Sequence, residues 1–361
     1  MKKVLVLLPC LEAAGGIGVL KNLLVIQKAN DWEITVVSKL EGEMRESLEE
    51  ADIPVMIEAA MESEAFLQDI RNQYDTVFLN TLQMIPLVET LSGKDIPVYW
   101  WIHEPSAYFK LYQQMMPPCF WENIKSNVRV FSAGQLVHDY ILDTYGYHSK
   151  VLNFGVKDVA GDAVSEHRIT SEDKISFLLP SFYFDPIKGQ DILLKALMQL
   201  PQQYLERAEF FFMGHVEEDM IPTYKIIKAL EQQWGNVHYL RPVKHDEMLE
   251  IMGEMDCLIA PSREDATNAC IVEGMMLSKL CICSDRTGVS RYLQDCKSAF
   301  VFPSENVEEL VKRILIVIDM YGELTPVAAA GRRIYEQVFS EDVFRKSVSE
   351  LFGEESAGWT K

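Results

Sequence analysis

The chain begins with short apolar runs separated by longer amphipathic segments. The runs at Lys3–Leu8 and Pro97–His103 are almost wholly apolar, and the segments between such runs repeat their apolar residues every three or four positions. Continuous Val, Ile and Leu runs predict strands that are buried on both faces, whereas the helical repeat predicts the helices that cover them. The pattern in residues 1–156 therefore predicts a parallel sheet between two layers of helices.

A polar stretch interrupts this pattern, and the pattern then starts again. Residues 157–173 are rich in small and charged residues and show no apolar periodicity, so they predict a linker. From Ile175 onward, apolar runs and amphipathic segments alternate a second time. We therefore predict the α/β class, with two Rossmann-like, doubly wound parallel-sheet domains that face a cleft. The predicted divisions are a first domain at 1–156, a linker at 157–173, a second domain at 174–338, and a C-terminal helix at 339–361 whose return to the first domain is an open option.

Size and charge narrow the range of functions. With 361 residues the chain is long enough for two hydrophobic cores, and a hydrophobic content of 48% is typical of a globular protein. The formal net charge of -20 creates an acidic field that repels nucleic acid phosphates and gives no general attraction to anionic lipids. Binding to nucleic acid is therefore not expected, and the sequence leaves the oligomeric state undetermined.

The cysteines and the apolar runs bear on the compartment. Seven cysteines are present without a Cys-x-x-Cys pair or a histidine cluster, which predicts free thiols in a reducing cytosol. Cys281 and Cys283 stand in an apolar run and are expected in the core. The first apolar run is too short for a signal peptide, and no run is long enough to span a membrane. A cytoplasmic protein is therefore the expectation.

Two carboxylates are the strongest candidates for chemistry. Asp265 follows a predicted strand, and Glu273, eight residues later, lies in the first turns of the next predicted helix. A carboxylate can accept two hydrogen bonds, which suits the vicinal hydroxyls of a sugar, and the free N–H groups at a helix start suit a phosphate. One junction could thus bind both halves of a sugar nucleotide. The alternative is a pair of surface carboxylates that the helix dipole stabilises.

Two glycine-containing segments also lie at predicted helix starts. Gly15, Gly16 and Gly18 follow the first strand, where glycine lets a ligand approach the backbone, although turn formation alone would explain them equally well. Lys188 precedes a glycine and can deliver a point charge to a phosphate. A solvated surface lysine is the alternative there.

His103 and Glu104 end the most apolar predicted strand. A lone histidine at a strand end can bind a ligand or can make a purely structural hydrogen bond, and both readings stay open. The sequence contains no Asp-x-Asp pair, Walker loop, His-Glu-x-x-His or Gly-x-Ser-x-Gly motif. Neither a metal site nor a bound cofactor is predicted.

The stretch from Pro261 to Met275 resembles the acidic-pair motif of the retaining glycosyltransferases of family 4, which have the GT-B fold. In that motif an acidic residue follows Pro-Ser, and a Glu comes after seven further residues, ahead of a small residue and Met. Here the places are filled by Pro261-Ser262, Asp265, Glu273 and Gly274-Met275. Weaker matches to the same family are the Gly-Gly loop at 15–16, His103, the turn from Asn153 to Val156, Lys188-Gly189 and Thr287-Gly288.

The resemblance implies a nucleotide-sugar donor and a sugar transfer that retains configuration without a metal. The implied acceptor is a glycan or a lipid-linked molecule in cell-surface polysaccharide assembly. Glu273 would hold the ribose, Asp265 the sugar hydroxyls and Lys188 the diphosphate. The implied catalytic residues are His103, Asp265 and Lys188. The implied donor-binding residues are Gly15, Gly16, Ser181, Lys188, Arg263, Asp265, Ala266, Thr267, Asn268, Ala269 and Glu273, and those on the acceptor side are Gly18 and Glu104.

The chain departs from the family in ways that keep other functions open. The first acid is Asp where the family usually has Glu, and the arginine that many relatives carry before Lys188 is missing, with Arg263 or Arg286 as candidates to replace it. These departures, together with the unusual Thr267-Asn268, also fit a catalytically degenerate partner or chaperone of another glycosyltransferase. A sugar-nucleotide epimerase is a third option. A lipid-linked acceptor would bring peripheral contact with the inner face of the plasma membrane.

Overall fold

A computed structural model describes residues 2–12, 15–161 and 174–353, without the side chains of residues 15–18 and 353. The chain divides into two compact units. The first unit runs to Gly155 and takes up the chain again from Asp342, and the second unit runs from Val156 to Glu341. Residues 162–173 of the predicted linker and 354–361 of the predicted last helix lie outside the described residues.

The first unit contains one parallel sheet with helices between its strands. The strands are β1 (Lys2–Leu8), β2 (Trp32–Ser38), β3 (Val55–Ile57), β4 (Thr76–Asn80), β5 (Val98–Ile102), β6 (Val128–Ser132) and β7 (Lys150–Val151). The helices are α1 (Gly15–Ala29), α2 (Met44–Glu50), α3 (Glu64–Gln73), α4 (Ile85–Leu91), α5 (Ser106–Tyr112), α6 (Phe120–Asn123) and α7 (Gln135–Tyr145). The spatial order is β3-β2-β1-β4-β5-β6-β7, so the chain reverses direction across the sheet between β1 and β4.

The second unit repeats this architecture. Its strands are β8 (Ile175–Phe184), β9 (Ala208–Val216), β10 (Val237–Leu240), β11 (Cys257–Ala260), β12 (Leu280–Ser284) and β13 (Phe300–Phe302). Its helices are α8 (Gln190–Leu197), α9 (Gln202–Leu205), α10 (Ile221–Trp234), α11 (His245–Glu254), α12 (Ala269–Met276), α13 (Val307–Met320) and α14 (Thr325–Ile334). The order β10-β9-β8-β11-β12-β13 is the Rossmann order, with the reversal between β8 and β11.

The central strands of both sheets are buried on both faces, as their continuous apolar sequences predict. All residues of β5 and β11 are buried, and every strand pair within the two sheets is parallel. Trp100 and Trp101 adjoin in β5, and their indole N–H groups donate to the carbonyls of Thr81 at 2.8 Å and Leu152 at 3.2 Å. Burial of these rings therefore leaves no unpaired indole N–H in this strand.

The last helix packs within the first unit. Helix α15 (Glu341–Gly353) places Phe352 edge-on against Trp32, with ring centroids 5.5 Å apart, and against Tyr99 at 4.8 Å. Phe344 lies over Gly155, where an added Cβ would come within 2.5 Å of the Phe344 Cβ. The glycine that ends the first stretch of this unit is therefore required by the packing of α15.

Some predicted elements differ in detail from the structure. The helix predicted from Gly189 to Leu200 ends at Leu197, and a separate short helix starts after Pro201, which lacks the N–H needed to continue a helix. The helix predicted at Val289–Leu293 is a 3-10 turn at Gly288–Tyr292. The sequence predicts a loop and then a helix over Gly15–Lys28, whereas in the structure α1 already begins at Gly15.

The cysteines agree with the prediction from the sequence. All seven cysteines are free, and Cys281 and Cys283 are buried in the core. Within the described parts of the chain, no single helix has the length and apolar character needed to cross a membrane. The bent pair Val307–Glu323 and Thr325–Phe339 meets that test only when both segments are combined, and Leu310 and Ile314 of this pair lie in the core.

Candidate functional site

The two acidic residues stand where two elements of the second unit meet. Asp265 lies in the loop that leaves the carboxyl end of β11, and Glu273 lies in α12, which follows that loop. A Cβ at Gly274 would come 2.4 Å from Cδ1 of Leu258 in β11, so a larger residue there would force this buried side chain to shift. The small residue after Glu273 is thereby explained by packing.

Three donors hold the Asp265 carboxylate. Lys188 Nζ lies 2.6 Å from Oδ2, and Asn268 Nδ2 donates to the same oxygen at 3.1 Å. The backbone N–H of Thr267 donates to Oδ1 at 3.4 Å. The side chain of Asp265 is 13% exposed, so a ligand can still reach it. Asp265 is therefore a fixed acceptor with a cation beside it.

The backbone of this loop is fixed by the loop after β12. Asp265 N–H donates to the Arg286 carbonyl at 3.0 Å, and Gly288 N–H donates to the Asp265 carbonyl at 2.8 Å. A Cβ at Gly288 would lie 1.7 Å from the Ala266 carbonyl oxygen, which no side chain could tolerate. Gly288 thus allows the two loops to approach closely and holds Asp265 in place.

Lys188 is positioned by a short turn ahead of α8. Asp185 caps this turn by accepting from Ile187 N–H at 2.7 Å. Gly189 follows with a φ of +76, and a Cβ there would meet the Pro261 carbonyl oxygen at 2.2 Å, so the Lys-Gly sequence is required by both conformation and space. Burial acts to lower the pKa of Lys188, but the charge and the hydrogen bond of Asp265, together with the nearby Cys270 and Asp185, raise it overall. Lys188 therefore remains a cation.

Glu273 is buried, with only one of its oxygens paired. The residue is 5% exposed, and Oε1 lies 2.7 Å from Nε2 of His245, the first residue of α11. Among the residues that the structure describes, no group forms a hydrogen bond with Oε2. The hydrogen bond to Glu273 raises the pKa of His245, against the lowering effect of burial. His245 was not among the residues predicted from the sequence.

The thiol of Cys270 is affected by the charges of both acids. Burial strongly raises the pKa of Cys270, and the charges of Glu273 and Asp265 raise it further, whereas Lys188 acts to lower it. Both carboxylates and the lysine therefore act on one neutral thiol at the start of α12. The predicted residues Asp265, Lys188 and Glu273 are thus brought together around α12.

The other residues of this unit that are candidates for binding the nucleotide-sugar donor have varied surroundings. Arg263 forms a bidentate pair with Asp191, at 2.9 Å for both contacts, and its Nε donates to Glu305 at 3.0 Å. Arg286 donates to Glu264 at 3.1 Å. A phosphate would have to compete with these carboxylates, so contact of Arg263 with the nucleotide-sugar donor stays a prediction.

Three smaller residues complete the predicted set in this unit. Ser181 is buried in β8 and donates to the Tyr183 carbonyl. Ala266 adjoins Gly288, and Ala269 is the first residue of α12.

The predicted residues of the first unit lie at the carboxyl ends of β1 and β5. His103 Nε2 is 2.9 Å from Oδ1 of Asn80, so that nitrogen donates and leaves Nδ1 as an acceptor. Burial lowers the pKa of His103 to about 3, so the ring is neutral at neutral pH. Glu104 accepts from Leu82 N–H at 2.8 Å and His103 N–H at 3.0 Å, while burial raises its pKa to about 7.

The three glycines near the N-terminus, which were predicted to contact a ligand, lie in the first turn of a helix. Gly15, Gly16 and Gly18 all fall within the first four residues of α1, which follows β1. The first N–H groups of a helix have no partner inside the helix, so these positions offer donors to an anion. Within the described ranges, no group of three or more His, Cys, Asp or Glu side chains could hold a metal ion.

Asn268 supports both Asp265 and the start of α12. It adopts a left-handed conformation with φ of +76, its Oδ1 accepts from Ile271 N–H at 3.1 Å, and its Nδ2 reaches Asp265. We expect Asn268→Ala to cost roughly 2 kcal/mol, because it loses the cap and strains the backbone. Asn268→Gly removes the strain and should cost less than about 1 kcal/mol. Urea denaturation of both variants tests this, and a glycine variant less stable than the alanine variant would contradict it.

Comparison with known proteins identifies a family that matches the part of the chain in which these residues lie. Residues 175–320 match the family model described as glycosyl transferases group 1. The predicted resemblance to a glycosyltransferase family is confirmed at the level of group 1. The match lies within the second unit and includes Lys188, Asp265 and Glu273. The narrower assignment to family 4 stays a prediction. A search of curated protein sequences gave no match.

Solved structures extend the likeness of the fold to nearly the whole chain. Anabaena HepE, crystallised with UDP, has a TM-score of 0.79 at 17% identity over 97% of this chain and 99% of that chain. A glycosyltransferase from Rickettsia africae has a TM-score of 0.75 at 16% identity over 98% and 100%. Sucrose-phosphate synthase from Thermosynechococcus elongatus has a TM-score of 0.76 at 13% identity over 98% and 99%. The predicted GT-B class with two Rossmann-like domains is confirmed, and the family match supports a glycosyltransferase.

Proposed function

We propose that this chain is a retaining, metal-independent glycosyltransferase. In this proposal it moves a sugar from a nucleotide-sugar donor to a glycan or lipid-linked acceptor in cell-surface polysaccharide assembly. The observation that carries the proposal is the grouping around α12. The lysine-held carboxylate of Asp265 lies in the loop ahead of α12, and α12 itself carries the buried Glu273 with one unpaired oxygen. Acceptors and a cation in one place suit a ligand with hydroxyls and phosphates.

Each group has a distinct task in this proposal. Glu273 binds ribose hydroxyls through Oε2, and Asp265 binds the transferred sugar through its accessible oxygens. The leaving group is a nucleoside diphosphate, so the main electrostatic task is to stabilise its growing negative charge. Lys188 supplies a point charge for that purpose, and the first N–H groups of α12 supply donors.

The first unit supplies the acceptor side in the same proposal. His103 is neutral and presents Nδ1 as an acceptor, because Nε2 is engaged by Asn80. A neutral ring can accept a hydrogen bond without adding a charge of its own. Glu104 holds the backbone N–H groups of Leu82 and His103 and so fixes the strand ends that would meet the acceptor. Cytoplasmic localisation with peripheral membrane contact belongs to this proposal.

Isothermal titration calorimetry against a panel of nucleoside diphosphates and nucleotide sugars tests the donor site. UDP is the first probe, because HepE was crystallised with UDP. We expect micromolar to millimolar dissociation constants, on the order of enzyme substrates, for one nucleotide of the panel. Incubation with the bound nucleotide sugar and candidate acceptors should release the nucleoside diphosphate and give a product with retained anomeric configuration. An inverted product would contradict the retaining mechanism, and heat from none of the panel would contradict donor binding.

One observation favours a second candidate, a degenerate partner of another glycosyltransferase. The stretch before Lys188 carries Phe182 and Tyr183 in place of an arginine, and Arg263 is engaged by Asp191 and Glu305. Among the described residues, Lys188 is then the one lysine or arginine that pairs with either of the two acids, Asp265 and Glu273. Nucleotide-sugar binding without any transfer would favour this partner. A free, epimerised nucleotide sugar would instead identify an epimerase.

A further inference from the structure

His245 contacts Glu273 from a different helix. It is the first residue of α11, and its Nε2 lies 2.7 Å from Oε1 of Glu273 in α12. The side chain of His245 is 60% exposed, whereas that of Glu273 is 7% exposed. An exposed ring that reaches a buried carboxylate makes little contribution to core packing. The contact therefore calls for an explanation based on the carboxylate itself.

The second oxygen of Glu273 supplies that explanation. Oε2 is buried and has no hydrogen-bond partner among the described residues, although a buried acceptor is usually paired. A carboxylate rotates about its last bond, so an unpaired oxygen has a fixed direction only when the other oxygen is held. His245 is the group that holds Oε1.

We infer that His245 is a positioning residue of the donor site, which fixes Glu273 through Oε1 so that Oε2 accepts a ribose hydroxyl of the bound nucleotide. This inference rests on the proposed function, because it assigns the unpaired oxygen to the nucleoside part of the donor. His245 itself acts through Glu273 and is not required to touch the sugar that is transferred. The ring donates a hydrogen bond to Glu273, and the strength of this bond depends on whether the ring is protonated. The pH is therefore the variable to change in the test.

The charged groups that face the ring define the pH dependence. Asp246 of α11 and Glu273 of α12 both favour the charged ring, and Cys270 of α12, beside Glu273, is a neutral thiol. Below its raised pKa the ring is charged and its hydrogen bond to Oε1 is charge-assisted. As the pH rises through that pKa, the ring loses its charge and the hold on Glu273 weakens. Nucleotide affinity should therefore fall across this range.

The experiment compares two substitutions at His245 in the full chain. Titration calorimetry with UDP, 2′-deoxy-UDP and 3′-deoxy-UDP is carried out from about pH 6 to about pH 9, which spans the titration of a histidine with a raised pKa. We expect His245→Ala to weaken UDP binding about tenfold at the acid end, the effect of one charge-assisted hydrogen bond. His245→Gln retains an N–H donor at a similar reach and should restore most of the affinity without the pH dependence.

The deoxy analogues identify the group that Oε2 binds. The unsubstituted chain should bind UDP more tightly than one of the deoxy analogues, and His245→Ala should lose this preference. Glu247→Ala is the matched control, since Glu247 is exposed on the same helix. Titration of the diphosphate is common to all variants, so the difference between the pH profiles belongs to His245. Thermal melting of each variant checks that the fold is kept.

Failure of the inference can be distinguished from failure of the proposed function. If the unsubstituted chain binds UDP and His245→Ala binds it equally well at every pH, the positioning role is wrong while donor binding stands. If His245→Ala weakens UDP and both deoxy analogues by the same factor, Oε2 does not take a ribose hydroxyl and the inference is also wrong. If neither UDP nor any other nucleotide of the panel binds the unsubstituted chain, the proposed function fails as well.

Discussion

Replacement of Glu273 by glutamine is expected to weaken nucleotide binding about tenfold to a hundredfold without loss of the unliganded fold. The expected loss follows from the removal of the charge behind a hydrogen bond to the ligand, which contributes about 1.5–3 kcal/mol. Glutamine has nearly the same shape, so packing of α12 against β11 is kept. Glu273→Ala, which removes both oxygens, should abolish transfer.

The stability of the glutamine variant should not fall. In the native chain the carboxylate is buried with Oε2 unpaired, and an unpaired buried polar group costs free energy of folding. Removal of the charge lowers this cost, while the amide can still contact His245. We therefore expect the free energy of unfolding to be unchanged or higher, as is common when a functional residue is replaced.

Calorimetry with UDP and thermal melting without ligand measure the two effects together. Glu308→Gln is a suitable control, since Glu308 is an exposed carboxylate in the first turn of α13. A lower melting temperature with unchanged affinity would identify Glu273 as a structural carboxylate at a helix start. That result would favour the alternative that the sequence left open, in which the helix dipole stabilises the two carboxylates and they bind no ligand.

The strands were predictable because their signal is local. Continuous apolar runs such as those of β1 and β5 are buried on both faces, and such runs have few other uses in a globular protein. The glycines of the site were also predictable in position, although not in purpose. The structure supplies the purpose, since Gly189 and Gly288 allow backbone approaches that any Cβ would block.

The surroundings of the site residues were not predictable, because they depend on contacts between distant parts of the chain. His245 is 28 residues from Glu273, and no local sequence pattern predicts their contact. The guanidinium of Arg263 pairs with Asp191, 72 residues earlier, and the sequence does not indicate this partner. A residue type at a motif position indicates what chemistry is available, whereas the partners of that residue decide whether the chemistry is free for a ligand.

Asn268 illustrates the same point within the motif loop. The sequence marks Thr267-Asn268 as unusual, and a change of function was one interpretation. In the structure the asparagine tolerates a positive φ, caps α12 and donates to Asp265. The unusual residue therefore supports the acid of the site rather than replacing it. Its role follows from the backbone conformation, which the sequence alone does not specify.

Replacement of Lys188 by methionine is expected to weaken UDP binding by about tenfold or more and to leave uridine binding unchanged. Methionine keeps the length and apolar character of the side chain but removes the point charge that the diphosphate requires. Uridine lacks phosphates, so its affinity reports on contacts with the base and the ribose and does not include contacts with the diphosphate. Lys195→Met is the matched control, since Lys195 lies on α8, with a side chain that is 58% exposed.

Asp265 allows two roles of Lys188 to be separated. Lys188 contacts Asp265 at 2.6 Å, so the lysine could act on the phosphates directly or could serve only to hold the carboxylate. A double-mutant cycle with Asp265→Asn distinguishes these roles, because asparagine removes the charge that needs a partner. If Lys188 acts on the diphosphate, Lys188→Met should weaken UDP binding by a similar factor in the Asp265→Asn background.

The opposite result would have a clear physical meaning. If Asp265→Asn suppresses the effect of Lys188→Met, the lysine matters only as a counter-charge for a carboxylate that is 13% exposed. The donor diphosphate would then depend on helix N–H groups alone, since Arg263 is engaged by Asp191 and Glu305. A site without a free cation would bind nucleotide sugars weakly, and the degenerate partner would become the better account of this chain.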